Sequence, residues 1–313
     1  MIEVKNLQKK FGHLVAVDDI SFRVVPGEIL GFLGPNGAGK STTMKMITGF
    51  VKATRGSISI WGCDINSDTI SAQKHIGYLP EGTPAYDEMT PLSFLGFIAE
   101  VRGFVKEERK ERVKSVVKTM SLETVLDQRI ETLSKGFKRR VGLAQAIIHD
   151  PDVLILDEPT DGLDPNQKHQ VREMIRGLSK EKIVIISTHI LEEVTAVCTR
   201  AIIISNGKIV SDCTPGELEE KSQYHEAVTL RFKFPADVKD ALVKLNDIEL
   251  VNKVVEEEAE LLVIPERKDG SLLPLVIDLV RSEGWQLAGL FQERGRLDEV
   301  FRTITTEDSS VGY

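Results

Sequence analysis

The chain has 313 residues, with 40 Lys and Arg against 48 Asp and Glu and a formal net charge of −8, an acidic balance that argues against phosphate backbones as the main partner; no nucleic acid is expected. No run approaches the roughly 18 apolar residues that span a bilayer, and the three scattered cysteines, Cys63, Cys198 and Cys213, suit a reducing cytosol rather than a disulfide framework. The N-terminus carries no apolar core of an export signal, so a cytoplasmic protein of one large domain or two is expected.

In chain order, short apolar runs alternate with helical stretches up to about residue 220. Glu28–Leu33, Val153–Leu156, Ile183–Ile186 and Ala201–Ile204 read as strands buried on both faces, so an α/β fold with a mainly parallel sheet covered by helices is predicted. Between Pro84 and Ile148 helix formers replace the strand signal, and Lys106–Ser115 reads as a solvated helix face; an inserted helical subdomain over about 84–148 follows. Thr214–Glu217 reads as a turn and Leu218–Ser222 as a connector. Residues 221–313 form a second region. Strands at 226–234, 248–255, 259–264 and 285–292 and helices at 236–245, 271–283 and 296–305 begin βαββαβ, a small ferredoxin-like α+β domain. Glu256–Glu258 reads as a solvated turn, and residues 307–313 as a frayed end.

The strongest chemical signal is Gly34-Pro35-Asn36-Gly37-Ala38-Gly39-Lys40-Ser41, which fits G-x-x-x-x-G-K-[ST] between an apolar strand and a helical run beginning at Thr42. Backbone N–H groups at a helix N-terminus cradle nucleotide phosphates, and glycine keeps Cβ atoms out of the way. Lys40 would reach the β- and γ-phosphates, and the Ser41 hydroxyl would ligate Mg²⁺. Val153–Leu156 then delivers Asp157 and Glu158 to the strand's C-terminal end, where open α/β sheets place their ligand chemistry. Asp157 would hold Mg²⁺ through its water shell, and Glu158 would polarise the attacking water. Taken alone, Ser134 reads as a helix N-cap, His189 as a structural histidine at a strand end, and Phe11 as a core ring.

The ordered series of these motifs, however, resembles the ATP-binding-cassette (ABC) ATPases, a P-loop NTPase family, over residues 1–220. Leu133-Ser134-Lys135-Gly136-Phe137 stands where that family has its LSGGQ signature, Asp161–Asp164 is similar to its D-loop, and His189 to its switch histidine. The resemblance implies that Phe11, ahead of the first strand signals, stacks on adenine, that Thr42 belongs to the ATP site, and that Ser134 and Gly136 face ATP held by a second subunit. It further implies a head-to-tail homodimer with two ATP molecules between its subunits. Glu81 replaces the family's usual glutamine, remaining an oxygen donor for Mg²⁺ while adding charge; Lys135 and Phe137 are further departures. Glu81, the Leu-Ser-Lys-Gly signature and an extension ending Leu297–Phe301 resemble the ABC-2-type exporters, including those for multidrug export and gliding motility. That implies an ATPase on the inner face of the cell membrane, coupled to a separate transmembrane permease. A soluble ABC protein not coupled to transport and a nucleotide-sensing module that scarcely hydrolyses ATP are the alternatives.

Overall fold

The chain starts with β1 (Ile2–Phe11), which buries Ile2, Val4 and, past a shift in register, Leu7, and Gly12, with φ of 58°, turns it back into β2 (Leu14–Val24). The computed structural model describes residues 1–82, 85–257 and 260–307. The chain continues through β3 (Ile29–Leu33), α1 (Lys40–Ile47), β4 (Arg55–Ile60), β5 (Cys63–Asp64), α2 (Thr69–Lys74) and β6 (Ile76–Leu79). Helices α3 (Pro91–Val101), α4 (Lys106–Thr119) and α5 (Lys135–Ile147) follow, then β7 (Val153–Asp157), α6 (Pro165–Ser179), β8 (Ile183–Thr188), α7 (Leu191–Val197), β9 (Arg200–Ser205) and β10 (Lys208–Cys213).

Six strands form one sheet in the order β10-β9-β3-β8-β7-β6, parallel except for β10, which pairs antiparallel at the edge. Every residue of β3, β7 and β8 is buried, as strands covered on both faces require. The cover is not helical throughout. A separate antiparallel sheet, ordered β2-β1-β4-β5, shares one core with it, where Ile2, Val4 and Ile58 meet Phe32, Met44 and Ile185. On the other face Leu154, Leu156, Val184 and Ile186 are buried, and α6 and α7 pack against β8 and β3. Phe11 therefore ends the first strand rather than preceding the strands.

The expected helical insertion holds α3, α4 and α5; its expected first residue, Pro84, lies outside the described residues. A reciprocal capping box of Thr90 and Ser93, with Pro91 in the first turn, starts α3. Of residues 106–115 only Val113 is buried.

The chain divides after Cys213 rather than near residue 220. Leu218 and Ser222, expected in a connector, are fully buried: Leu218 lies in α8 (Pro215–Glu220), and Ser222 Oγ donates to Glu299 at 2.8 Å and accepts from the Arg296 amide at 3.0 Å. The rest of this second unit comprises β11 (Val228–Phe232), α9 (Pro235–Asn246), β12 (Val251–Glu257), β13 (Glu260–Pro265), α10 (Leu272–Glu283), β14 (Leu287–Gln292) and α11 (Leu297–Glu307). Its antiparallel order β12-β13-β11-β14 is the ferredoxin-like arrangement. β11 stops at Phe232 because Pro235 opens α9, and β12 begins at Val251 because the Val251 amide is bonded in a turn to the Ile248 carbonyl. Glu256 lies in β12 opposite Leu261 rather than in a turn; Glu258 and the end from residue 308 lie outside the described residues.

Candidate active site

Parallel register sets the site. Leu33 of β3 lies beside Thr188 of β8, and Asp157 of β7 beside Ser187, so the segments after all three strands leave the sheet at one edge. The segment after β3 wraps into the N-terminus of α1. Gly39, its last residue, has φ of 108°, and a Cβ there would stand 2.5 Å from the Ala16 carbonyl oxygen. Gly34 is equally tight, with the Ile204 carbonyl 2.4 Å from where its Cβ would be. The Ala38 amide donates to the Pro35 carbonyl at 3.2 Å. Lys40 is 6% exposed, and its Nζ donates to the carbonyls of Gly34 (2.7 Å) and Pro35 (3.2 Å). Burial pushes its pKa below the ordinary lysine value, while Glu158, Asp157 and Glu81 pull it back up.

Asp157 is 2% exposed and accepts a hydrogen bond from the Ser187 hydroxyl. Glu158 leaves the strand with φ of 48°, a left-handed conformation uncommon for a residue with a side chain, and its amide donates to the Ser187 carbonyl at 2.9 Å. Its Oε1 accepts from His189 Nδ1 at 3.0 Å, while Oε2 is buried and has no hydrogen-bond partner among the described residues. With Nδ1 donating to the carboxylate, the ring donates from Nε2 as well only as imidazolium.

These residues converge. A cavity of about 300 Å³ is lined by Phe11, Leu14 and Ala16, by Asn36, Gly37, Gly39, Lys40, Ser41 and Thr42, and by Glu81 and Glu158. Phe11 is 50% exposed, with Lys9 Nζ 4.8 Å from its ring centroid, so the ring is not core packing. A second cavity, of about 580 Å³, is lined among others by Ser41, Glu81, Asp157 and Tyr78. One hydroxyl and two carboxylates make an oxygen donor set that fits Mg²⁺. Among the described residues no three His, Cys, Asp or Glu side chains form a metal site of their own.

Other predicted residues stand apart. Ser134 caps α5, accepting from the Phe137 amide at 3.3 Å, and Asp164 caps α6, accepting from the Gln167 amide at 2.9 Å. Lys135 lies against Gly162, Gly136 against the Gln167 side chain, and the Phe137 ring under the Arg140 guanidinium at 5.4 Å. None of these five lines either cavity.

Arg139 is a site residue that reading the motifs missed. It is 5% exposed and donates to the carbonyls of Gly82 (2.7 Å), Pro80 (3.4 Å) and Glu158. Burial lowers its pKa, while Asp161, Asp157, Glu158 and Glu81 act in the opposite direction. The available signal was periodicity, because position 139 shares the buried stripe of α5 with Gly136, Leu143 and Ala146.

A family profile described as ABC transporter matches residues 17–161. The ABC transporter ATP-binding protein YhcH of Bacillus subtilis strain 168 is 36% identical over 279 residues, 84% of this chain and 88% of that protein. The Nod factor export ATP-binding protein I of Burkholderia lata is 35% identical over 242 residues, 77% of this chain and 80% of its own. Among solved structures, the ATP-binding cassette MJ0796, in a dimeric post-hydrolysis state bound to ADP and Pi, shares the fold. Its TM-score is 0.63 at 24% identity, covering 69% of this chain and 99% of that one.

Proposed function

The chain belongs to the ABC transporter ATPase family, and on that footing we propose that it is the ATP-hydrolysing subunit of an ABC-2-type membrane exporter, closing in pairs around ATP to drive a separate permease. One observation carries the reading: Phe11, the phosphate loop, Glu81 and Glu158 line a single cavity. Adenine would lie on Phe11 beside Leu14 and Ala16, and the phosphates on the amides that open α1. Lys40 would exchange the Gly34 and Pro35 carbonyls for the β- and γ-phosphates. Ser41, Glu81 and Asp157 would hold Mg²⁺, which when bound draws charge from the phosphate oxygens. Glu158 uses Oε2 to accept a hydrogen from the attacking water, while His189 restrains Oε1.

Ser134 and Gly136 lie outside the cavity of their own chain, which supports their use by a second copy, and the dimeric state of MJ0796 supports the same arrangement. The export role named for the Burkholderia relative supports an exporter. No helix among the described residues is long and apolar enough to cross a membrane; the separate permease and the place on the membrane's inner face rest on the family resemblance.

Glu158→Gln tests the chemistry. Steady-state ATP turnover should fall by about 10²–10⁴-fold with nucleotide binding kept; turnover at the parent rate would contradict the assignment. Coupling is tested by reconstituting the chain with the membrane protein that co-purifies from native membranes. Transport is expected with the parent chain and none with Glu158→Gln.

A further inference from the structure

Arg139 sits one turn beyond Gly136 on the helix that begins with the Ser134 cap, and its guanidinium is almost wholly buried. An arginine in such a place needs hydrogen bonds and opposing charge. Both come from the two acid-bearing segments. Nη1 donates to the Pro80 and Gly82 carbonyls, which flank Glu81, and Nη2 donates to the Glu158 carbonyl. Glu158 meanwhile holds a left-handed φ, a conformation that persists only when its surroundings enforce it. Three hydrogen bonds restrain that residue's backbone: its amide donates to the Ser187 carbonyl, and its carbonyl accepts from the Asp161 amide at 3.2 Å within the turn and from Arg139, which alone ties it to the signature helix.

We propose that Arg139 is a positioning residue whose guanidinium fork fastens the Glu81 segment to the Glu158 backbone, so that the aim of the water-polarising carboxylate depends on the helix carrying the signature. The inference rests on the role given to Glu158. Without the fork the strained turn at Glu158 can relax, and the carboxylate loses its aim while the phosphate loop and the Phe11 surface stay in place.

The test compares Arg139→Gln and Arg139→Lys in the full chain, reading kcat by phosphate release, ATP affinity by equilibrium binding of a fluorescent ATP analogue, and folding by thermal unfolding. Arg139→Gln should lower kcat by about ten-fold or more with ATP affinity within about two-fold of the parent. Arg139→Lys, which returns the charge without the fork, should recover only part of that loss. A kcat within about two-fold of the parent in both variants, or loss of ATP affinity in step with kcat, would overturn the proposal. If Arg139→Gln does not fold, Arg139→Lys decides on the same criteria. Glu158→Gln run alongside separates the two ideas. Parent-like turnover there defeats the assignment beneath, whereas lost turnover there with normal Arg139 variants defeats this inference alone.

Discussion

Two glycines of the phosphate loop should lose stability to very different extents on the same substitution. Gly37 has φ of 82° and open space where a Cβ would point, whereas Gly39 has φ of 108° and the Ala16 carbonyl 2.5 Å away. For Gly37→Ala the left-handed conformation costs about 1–2 kcal/mol, offset by about 0.4–1 kcal/mol from the stiffer unfolded chain. For Gly39→Ala backbone strain of about 1–3 kcal/mol is joined by a similar overpacking term, giving about 2–6 kcal/mol. At about 2–4 °C per kcal/mol for a unit of this size, that is a fall in Tm of about 4–24 °C, against a few degrees at most for Gly37→Ala. Thermal unfolding without nucleotide measures it directly. Both glycines line the cavity, so both alanine variants should lose ATP affinity, and Gly37→Ala should do so while remaining almost as stable as the parent. Equal Tm shifts for the two variants, or a Gly39→Ala protein as stable as the parent, would refute the reasoning.

Phe11→Ala should weaken ATP binding by about two- to ten-fold, the value of one aromatic stack, with unfolding midpoints little changed because the ring is half exposed; unchanged affinity would remove Phe11 from the site. Glu193 is 3% exposed, and burial pushes its pKa above the ordinary value of 4.5 even though a hydrogen bond from Thr188 works against the shift. The folded state therefore binds more protons than the unfolded one, and this group's contribution to stability, present below 4.5, is lost as pH rises toward the folded pKa. Glu193→Gln removes that loss. Its urea midpoint relative to the parent should climb from pH 4.5 toward neutrality, and a difference independent of pH would contradict the sign.

The parts legible in the sequence were those whose physics is local. Residues 34–41 must present amides at a helix start, so spacing alone exposed them, and runs such as Val153–Leu156 are apolar throughout because both faces are covered. The antiparallel sheet was not legible. It depends on β1 pairing with β4, Ile2 opposite Ile60, and alternating burial says that a strand has an inner face without naming its distant neighbour. Arg139 was hidden by composition. Lys138, Arg139 and Arg140 look like one solvated basic run, and only the helical stripe shared with Gly136 and Leu143 separates the buried member. Leu218–Ser222 looked like a connector because polar residues outnumber Leu218, yet the Ser222 hydroxyl is an anchor that fixes the approach to α11.

Sedimentation of Glu158→Gln with and without ATP reaches the central claim most directly. The mass of one chain should become that of two when ATP is added, and Ser134→Arg in the same background should hold it at one. A Glu158→Gln protein that binds ATP fully and stays a single chain, or one that pairs equally well with Ser134→Arg, would contradict the account.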